Sequence, residues 1–418
     1  VPLIPEHVKE LIESHAIDVY LQPSLIRIFS DDEYIQAGAK VKEDLSGCSI
    51  IFAVKEIPTD FFQPQKTYVF FSHTIKGQKH NIPMLKRMMK LGCNLIDYEK
   101  VTDEKGRRLI FFGRHAGLAG MIDTLWALGK RLTWEGIPNP FTEIKNAYKY
   151  KSLAEAKEGI SKAGEKIKTD GLPELLTPLI FGVTGYGHVS SGAQEILDLL
   201  PHKQISPHEI SSVDKQSDFS KRHIYKVVFK EEHIVEPISR EDLFDLKDYY
   251  DYPEKYRSQF ENYIPHLTVL VNCIYWDERY PRLVTKKFLK KLYAEDKNPR
   301  LKVIGDISCD IEGSIECTVK GTAPDNPVYV YNPGEEKVTD GYKGKGLVIL
   351  AVDNLPCEIS REASLDFSRV LKPFIPQIVK ADFSVNFDGC ALPPPIKNAV
   401  IVYHGELTPD YHYMQSFL

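Results

Sequence analysis

Early in the chain, three short apolar runs each end on side chains suited to moving protons. AVKEIP brings Lys55, FFSHTIKGQ brings His73 followed by Lys76 and Gln78, and LIDYEK brings Asp97 and Glu99. GRRLIFFGRHAGLAG then supplies Arg107, Arg108 and Arg114. Runs of this kind read as parallel strands, and open parallel sheets bind ligands outside the carboxyl ends of their strands. Lysine, histidine and glutamate delivered to one such edge form an acid–base set, with histidine titrating near neutral pH. Paired arginines suit bidentate clamping of carboxylates. Singly, each residue has a plainer role: a solvated lysine, a hydrogen-bonded histidine, arginines paired with Asp103 and Glu104 at the surface. Their convergence carries the argument.

A second constellation lies in LIFGVTGYGHVSSGAQEILDLL, residues 179–200. It reads as an apolar strand, a turn holding Gly185, Gly187 and Gly192, and a helix. Such a turn lets backbone N–H groups approach a pyrophosphate at the helix N-terminus. Ser190 stands where the dinucleotide fingerprint has a further glycine. In the following stretch, HKQISPHE, Ser206 and Pro207 occupy the place expected for the acid that reads a ribose 2′-hydroxyl. Lys203 and His208 lie nearby, and this favours a 2′-phosphate and hence NADPH, while Glu209 keeps NADH as the alternative.

These groups need elements to position them. The spacing predicts strands over residues 17–21, 49–54, 67–71 and 94–98 and amphipathic helices over 8–14 and 82–91. Residues 116–132, apolar nearly all round, predict a long helix buried between domains, and GIPNP at 136–140 marks a hinge. A second series follows: helix 152–167, strand 179–183, helix 192–200, strands 224–229, 268–273 and 302–307, with helix 285–294 before the last. Alternating strands and helices imply an α/β chain of two doubly wound, Rossmann-like domains with parallel sheets and an interdomain cleft. Strand 347–352 and helix 361–375 are assigned back to the first domain, so the chain crosses between domains twice. Residues 230–261, charged and tyrosine-rich, read as a solvated surface insertion, with a lid or partner surface as the other reading.

Composition narrows the classes. The 418 residues carry a net charge of −5, with 43% hydrophobic and 27% charged residues. This suits a soluble globular protein without a global basic field for nucleic acid. No apolar run approaches the roughly 20 residues that span a bilayer, and residues 1–19 do not read as a signal peptide. The seven cysteines form no CxxC pair and the thirteen histidines no HxxxH or HExxH motif, so reduced thiols, no metal and an intracellular setting are expected.

Taken together, AVKEIP, FFSHTIKGQ, LIDYEK, FGRHAGLAGMID, VTGYGHVSSGAQ, VNCIYW, GDISCDIEGSIE and VDNLPCEISREAS resemble the lysine–ketoglutarate reductase family. These are the saccharopine-forming enzymes, related to lysine-forming saccharopine dehydrogenases and, more distantly, to alanine dehydrogenases and transhydrogenases. The resemblance runs through nearly the whole chain, and the tyrosine-rich insertion before VNCIYW favours the reductase branch. It implies that Lys55 and His73 are the acid–base pair, tuned by Glu99. It further implies that Gln78, Arg108 and Phe112 contact substrate. Arg107, Gly185, Gly187, His188, Ser190 and Asp306 would contact the cofactor. The implied reaction condenses L-lysine with 2-oxoglutarate and reduces the product with NADPH to saccharopine, reversibly. The implied domains are 1–140, a substrate domain; 141–312, an NADP-binding Rossmann domain; and 313–418, a return to the substrate domain with a C-terminal tail.

The chain opens at Val1, where that family carries an arginine-bearing substrate-binding segment. It closes at Leu418, where bifunctional members continue into a glutamate-forming saccharopine dehydrogenase, here a fused or separate partner. Domain closure, a homo-oligomer, and cytoplasm or mitochondrial matrix are the accompanying expectations. Two rival readings stand beside the reductase. One is a relative acting on another amine–oxo acid pair, or on alanine and pyruvate. The other is a non-catalytic dinucleotide-binding module that regulates a partner, for which an acid–base set would be superfluous.

Overall fold

Strands rich in apolar residues at successive positions need cover on both faces, and the interior strands of both large sheets are buried at nearly every position. The computed structural model describes residues 1–213 and 219–418. The chain forms two compact units, Val1–Phe112 with Ser360–Leu418, and Gly113–Ile359. No helix among the described residues is long and apolar enough to cross a membrane.

The first unit opens with α1 (Pro5–His15), β1 (Tyr20–Leu21), α2 (Asp31–Gln36) and β2 (Lys40–Val41), β1 and β2 pairing in parallel as a small separate sheet. A capping box of Ser30 and Glu33 starts α2. Next come β3 (Ile50–Phe52), β4 (Thr67–Phe70), α3 (Ile82–Lys90) and β5 (Asn94–Asp97). TYVF of β4 and NLID of β5 are buried at every position, as interior strands must be. Parallel registers set Phe52 beside Val69 and Phe70 beside Asp97, so the carboxyl ends of all three strands share one edge. A cavity of ≈1130 Å³ runs from Tyr20 and Leu21 past residues 49–53 to Glu56.

The second unit contains α4 (Gly113–Trp134), α5 (Leu153–Asp170), β6 (Ile180–Thr184), α6 (His188–Leu197), β7 (His202–Gln204), α7 (Pro207–Val213) and β8 (Ile224–Phe229). Then follow α8 (Glu231–Ile234), β9 (Val235–Pro237), α9 (Leu246–Asp251), β10 (Tyr256–Ser258), β11 (Val269–Asn272) and α10 (Lys286–Glu295). It ends with β12 (Val303–Asp306), β13 (Val328–Asn332), β14 (Lys337–Asp340) and β15 (Leu347–Leu350). Eight strands build one sheet in the order β14-β13-β15-β12-β11-β6-β8-β7. It is parallel except for β13, which runs antiparallel to both neighbours. Alternate residues feed cores on the two faces: Phe181, Val183, Val269 and Val271 on one, Ile180, Leu270 and Ile304 on the other. The chain then returns to the first unit as α11 (Ser360–Leu371), β16 (Val400–Tyr403) and β17 (Glu406–Leu407), with β16 antiparallel to β5.

Several sequence expectations change. The boundaries lie at Phe112/Gly113 and Ile359/Ser360, not at 140 and 312. The long apolar helix is α4, and its burial comes from the second unit's own core, where it crosses α6. A Cβ on Gly117 would sit 1.9 Å from the Val189 carbonyl oxygen, and one on Gly192 2.0 Å from that of Arg114. Gly192 therefore lies inside α6 as a packing residue and not in the turn. Strand 347–352 belongs to the eight-stranded sheet as β15, between β13 and β12, because its LVIL run is buried on both faces. Helix 361–375 does return to the first unit, as α11 and the turn after it. The insertion is not merely solvated: β9 and β10 pair antiparallel, and Ile234, Val235, Tyr249, Tyr256 and Phe260 are buried against Phe229 and Leu267.

Candidate active site

The exits of β3, β4 and β5 carry the expected acid–base residues to one edge of the first unit. Lys55, two residues before the buried Ile57, is exposed and has no ion pair among the described residues. His73 follows β4 with φ +47°, in the left-handed region, and its ring stacks on Phe71 at 6.1 Å. Its Nδ1 hydrogen-bonds the Glu56 carboxylate. Burial works to raise the Glu56 pKa, but bonds from His73 and Asn81 outweigh it and leave the carboxyl below its usual range. The buried Asn81 holds this turn: its Nδ2 donates to the carbonyls of Ser72 (3.1 Å) and His73 (3.3 Å) and to Glu56 Oε1 (3.3 Å).

Below them sits Asp97, fully buried, accepting from the Ser72 amide (3.1 Å), the Ser72 hydroxyl and the Glu99 amide (2.7 Å). Burial pushes its carboxyl up to about 6 against those bonds. Glu99 pairs with Arg108 at 3.6 Å, and the Arg108 guanidinium lies 6.0 Å from the Phe71 ring centre. Phe112 stacks on Phe367 at 5.2 Å with 8° between the planes, in a cluster with Phe71 and Tyr98. Gln78 is half-buried, its Oε1 accepting from the Lys76 amide at 3.1 Å. The C-terminal turn covers this loop, since Tyr413 Oη donates to the Ile75 carbonyl and Phe417 lies against Gly77.

Lys55, His73, Gln78, Glu99, Arg108 and Phe112 thus belong to one strand edge and the loops leaving it. Arg107 takes the plainer part: it ion-pairs with Asp103 at 2.7 Å, whose carboxylate also accepts the Lys105 and Arg107 amides. Arg114 belongs to the second unit and is bound to Glu195. Sequence reasoning missed Glu56 and Asn81. Glu56 adjoins Lys55, and strand alternation would send the two to opposite faces, but β3 has ended at Phe52 and the alternation with it. Asn81 carries no signal beyond preceding a helix.

In the second unit the glycine turn joins β6 to α6. Gly185 has φ +80° and its amide donates to the Phe229 carbonyl at 2.8 Å, tying the turn to β8. Gly187, just before α6, has open space wherever a Cβ would stand, and His188 opening the helix is exposed. An exposed backbone cradle before a ten-residue helix fits a dinucleotide pyrophosphate. Ser190 fits differently: its hydroxyl is buried and accepts from Gln194 Nε2 at 3.0 Å, so it faces inward. Asp306, ending β12, is also inside. It accepts from Asn272 Nδ2 (2.8 Å), the Cys309 amide (3.2 Å) and the Thr318 hydroxyl, and burial pushes its carboxyl up to about 6. Thr184 Oγ1 donates to Asn272 Oδ1 at 3.0 Å, so β6, β11 and β12 are locked at their carboxyl ends.

The ribose reading from HKQISPHE needs correction. β7 is the exposed edge strand and pairs only with β8, while β8 is the strand beside β6. In doubly wound folds the ribose lies past the end of the strand beside the glycine-turn strand, and by this strand order that place follows Phe229, at Lys230 and Glu231, rather than Ser206 and Pro207. His202–Gln204 is exposed at all positions and could not be interior, whereas IYKVVF of β8 is almost wholly buried.

Comparison with known proteins agrees with this architecture. Residues 1–119 match the family described as Alanine dehydrogenase/PNT, N-terminal domain, and residues 228–410 the corresponding C-terminal domain. The chain is 38% identical over 428 residues to the alpha-aminoadipic semialdehyde synthase of Arabidopsis thaliana, covering 99% of this chain and 40% of that protein. It is 36% identical to the mitochondrial synthase of Bos taurus, covering 46% of it. The chain thus spans less than half the length of these relatives. A saccharopine dehydrogenase [NAD(+), L-lysine-forming] of Emericella nidulans is 27% identical over 90% of this chain and 88% of that protein. Among solved structures, an L-alanine dehydrogenase superposes with TM-score 0.61 at 15% identity, covering 100% of this chain and 96% of the other. A transhydrogenase from Sinorhizobium meliloti gives 0.56 at 17%, covering 98% and 96%. The fold is accordingly α/β with mostly parallel sheets, and the chain belongs to the alanine dehydrogenase/PNT family.

Proposed function

We propose that this chain is an oxidoreductase of lysine degradation that condenses L-lysine with 2-oxoglutarate and reduces the product to saccharopine, using NADPH. The observation that carries the reading is the His73–Glu56 pair set beside Lys55, Glu99 and Arg108 on one strand edge. The relatives in lysine metabolism support the same chemistry.

The proton inventory explains why such a set is needed. The ε-amine of free lysine has a pKa of about 10.4, so freeing it at neutral pH costs about 4.6 kcal/mol at ~1.36 kcal/mol per unit. A base must take that proton before nitrogen attacks the ketone carbon. The resulting hydroxyl must then receive a proton to leave as water. His73 can do both in turn, with Glu56 fixing its ring. Lys55 exchanges the second proton, and Glu99 restrains Arg108. Arg108 and Gln78 hold carboxylates of the acidic substrate, which favours 2-oxoglutarate over pyruvate. Phe112 and Phe71 form the apolar wall against which water is excluded. A bound nicotinamide supplies the hydride to the imine carbon. For its nucleotide, Gly185, Gly187 and the first turn of α6 are the cradle.

The test is nucleotide oxidation on mixing the chain with lysine and 2-oxoglutarate, each omitted in turn, with NADH run beside NADPH. Oxidation that needs both substrates and yields saccharopine is expected. Oxidation with pyruvate and ammonia instead would move the assignment to an alanine-type reaction. One observation favours NADH as a second reading: Glu231 stands where an acid reads the ribose.

A further inference from the structure

The Glu231 carboxylate is not free. Tyr250 Oη donates to Glu231 Oε1 at 2.7 Å, reaching back from α9 in the tyrosine-rich insertion. Tyr186, between the two glycines of the turn, faces the same carboxylate, and burial together with Glu231 raises its phenol pKa. Burial and Glu231 likewise raise the pKa of Tyr250, as expected for a phenol donating to a carboxylate. Tyr250 is itself held from behind, its ring 5.8 Å from that of the buried Tyr249, which packs on Tyr256 and Tyr280. Next to Glu231, the Lys230 side chain is exposed, while its amide donates to His233 Nδ1 at 3.0 Å.

We propose that the insertion sets nucleotide choice: Tyr250 holds Glu231 back from the ribose 2′-position, and with Lys230 beside it this lets the chain accept a 2′-phosphorylated nucleotide. Glu231 is the specificity-determining residue and Tyr250 a positioning residue that acts through it. A carboxylate free at this place accepts hydrogen bonds from the 2′-hydroxyl and repels a 2′-phosphate. Engaged by a phenol, it loses an acceptor site and is kept from turning toward the sugar. The residues 230–261 that interrupt the α/β pattern thereby have a task at the cofactor end of the sheet.

The inference rests on the dinucleotide reading of the glycine turn, and the test separates the two. Equilibrium Kd values for NADPH and NADH are measured from nucleotide fluorescence, without substrates, for the wild type, Glu231→Gln, Tyr250→Phe and the double variant. Glu231→Gln should shift the NADPH:NADH affinity ratio roughly tenfold toward NADPH, a difference of about 1.4 kcal/mol. Tyr250→Phe should shift it severalfold toward NADH, and this shift should vanish when Glu231 is already Gln. A ratio unmoved in either single variant, or a Tyr250→Phe shift that persists without Glu231, would overturn the proposal. If the wild type binds neither nucleotide, the dinucleotide reading itself fails, and this inference with it.

Discussion

Two carboxyls in the core of the second unit should make its stability depend on pH. Asp123 on α4 is completely buried and Glu358, just before the return to the first unit, is 6% exposed. Two adjacent amides bind them: Ala147 donates to Asp123 Oδ1 at 2.7 Å, and Tyr148 to Glu358 Oε2 at 3.4 Å. The remaining oxygens, Asp123 Oδ2 and Glu358 Oε1, meet no donor from any other described residue. With the Asp123 charge close to it, Glu358 is held protonated, and that one proton serves the pair. Burial, reinforced by the Asp123 charge, pushes Glu358 far above the usual carboxyl range. In the unfolded chain both groups are ionised above the ordinary carboxyl range, so the native state binds one more proton. A raised acid of this kind leaves stability intact at acid pH and removes it progressively as pH rises through neutrality. Asp97 and Asp306, raised only to about 6, have largely titrated by pH 7, and the loss that the buried thiols Cys273, Cys309 and Cys317 add toward pH 8.5 is common to wild type and variant. From pH 7 to about 8.5 one proton is worth about 2 kcal/mol at ~1.36 kcal/mol per unit. Glu358→Gln replaces the proton by a permanent N–H donor of the same shape and should abolish that loss. The three tryptophans, Trp126, Trp134 and Trp276, all lie in the second unit, so urea unfolding followed by their fluorescence reports it directly. Equal pH slopes in the wild type and Glu358→Gln would refute the shared proton.

Other variants test the site and its support. His73→Ala should lower kcat roughly 10²–10⁴-fold while NADPH affinity in the fluorescence titration stays within about twofold, because the loss is of proton transfer alone. Glu56→Gln keeps the shape of the bond to His73 but not its charge, so a loss of about tenfold in kcat is expected with little change in the unfolding midpoint. Gly117→Ala places a methyl 1.9 Å from a carbonyl oxygen and should cost about 1–3 kcal/mol or more in the tryptophan transition. Gly187→Ala, with nothing within 4 Å, should leave that transition unmoved and instead weaken NADPH binding roughly tenfold, about 1.4 kcal/mol.

What could be read in the sequence follows from which forces are local. β4 and β8 are runs rich in β-branched and aromatic residues, β5 and β12 end on aspartates, and the strand ends of each sheet were legible because charged or polar groups stand at or just after them. Long-range choices were not. An all-round apolar helix announces that α4 is buried but not by what; the answer lay in glycines at 117 and 192, whose partners are far away in the chain. LVIL of β15 says only that a strand is covered on both faces, and its place between β13 and β12 depends on pairings no local pattern encodes. The same gap explains the ribose position. Reading β7 as the neighbour of β6 assumes that consecutive strands lie side by side, a common rule. A three-residue strand exposed on both faces breaks it, because burying β8's apolar run against β6 removes more surface from water than burying HKQ could. By strand order the segment after the neighbouring strand is then that of Glu231, and Glu231 is the carboxylate to which the insertion's Tyr250 donates. Glu231 and Tyr250, unremarkable in the sequence, become readable only once strand order is known.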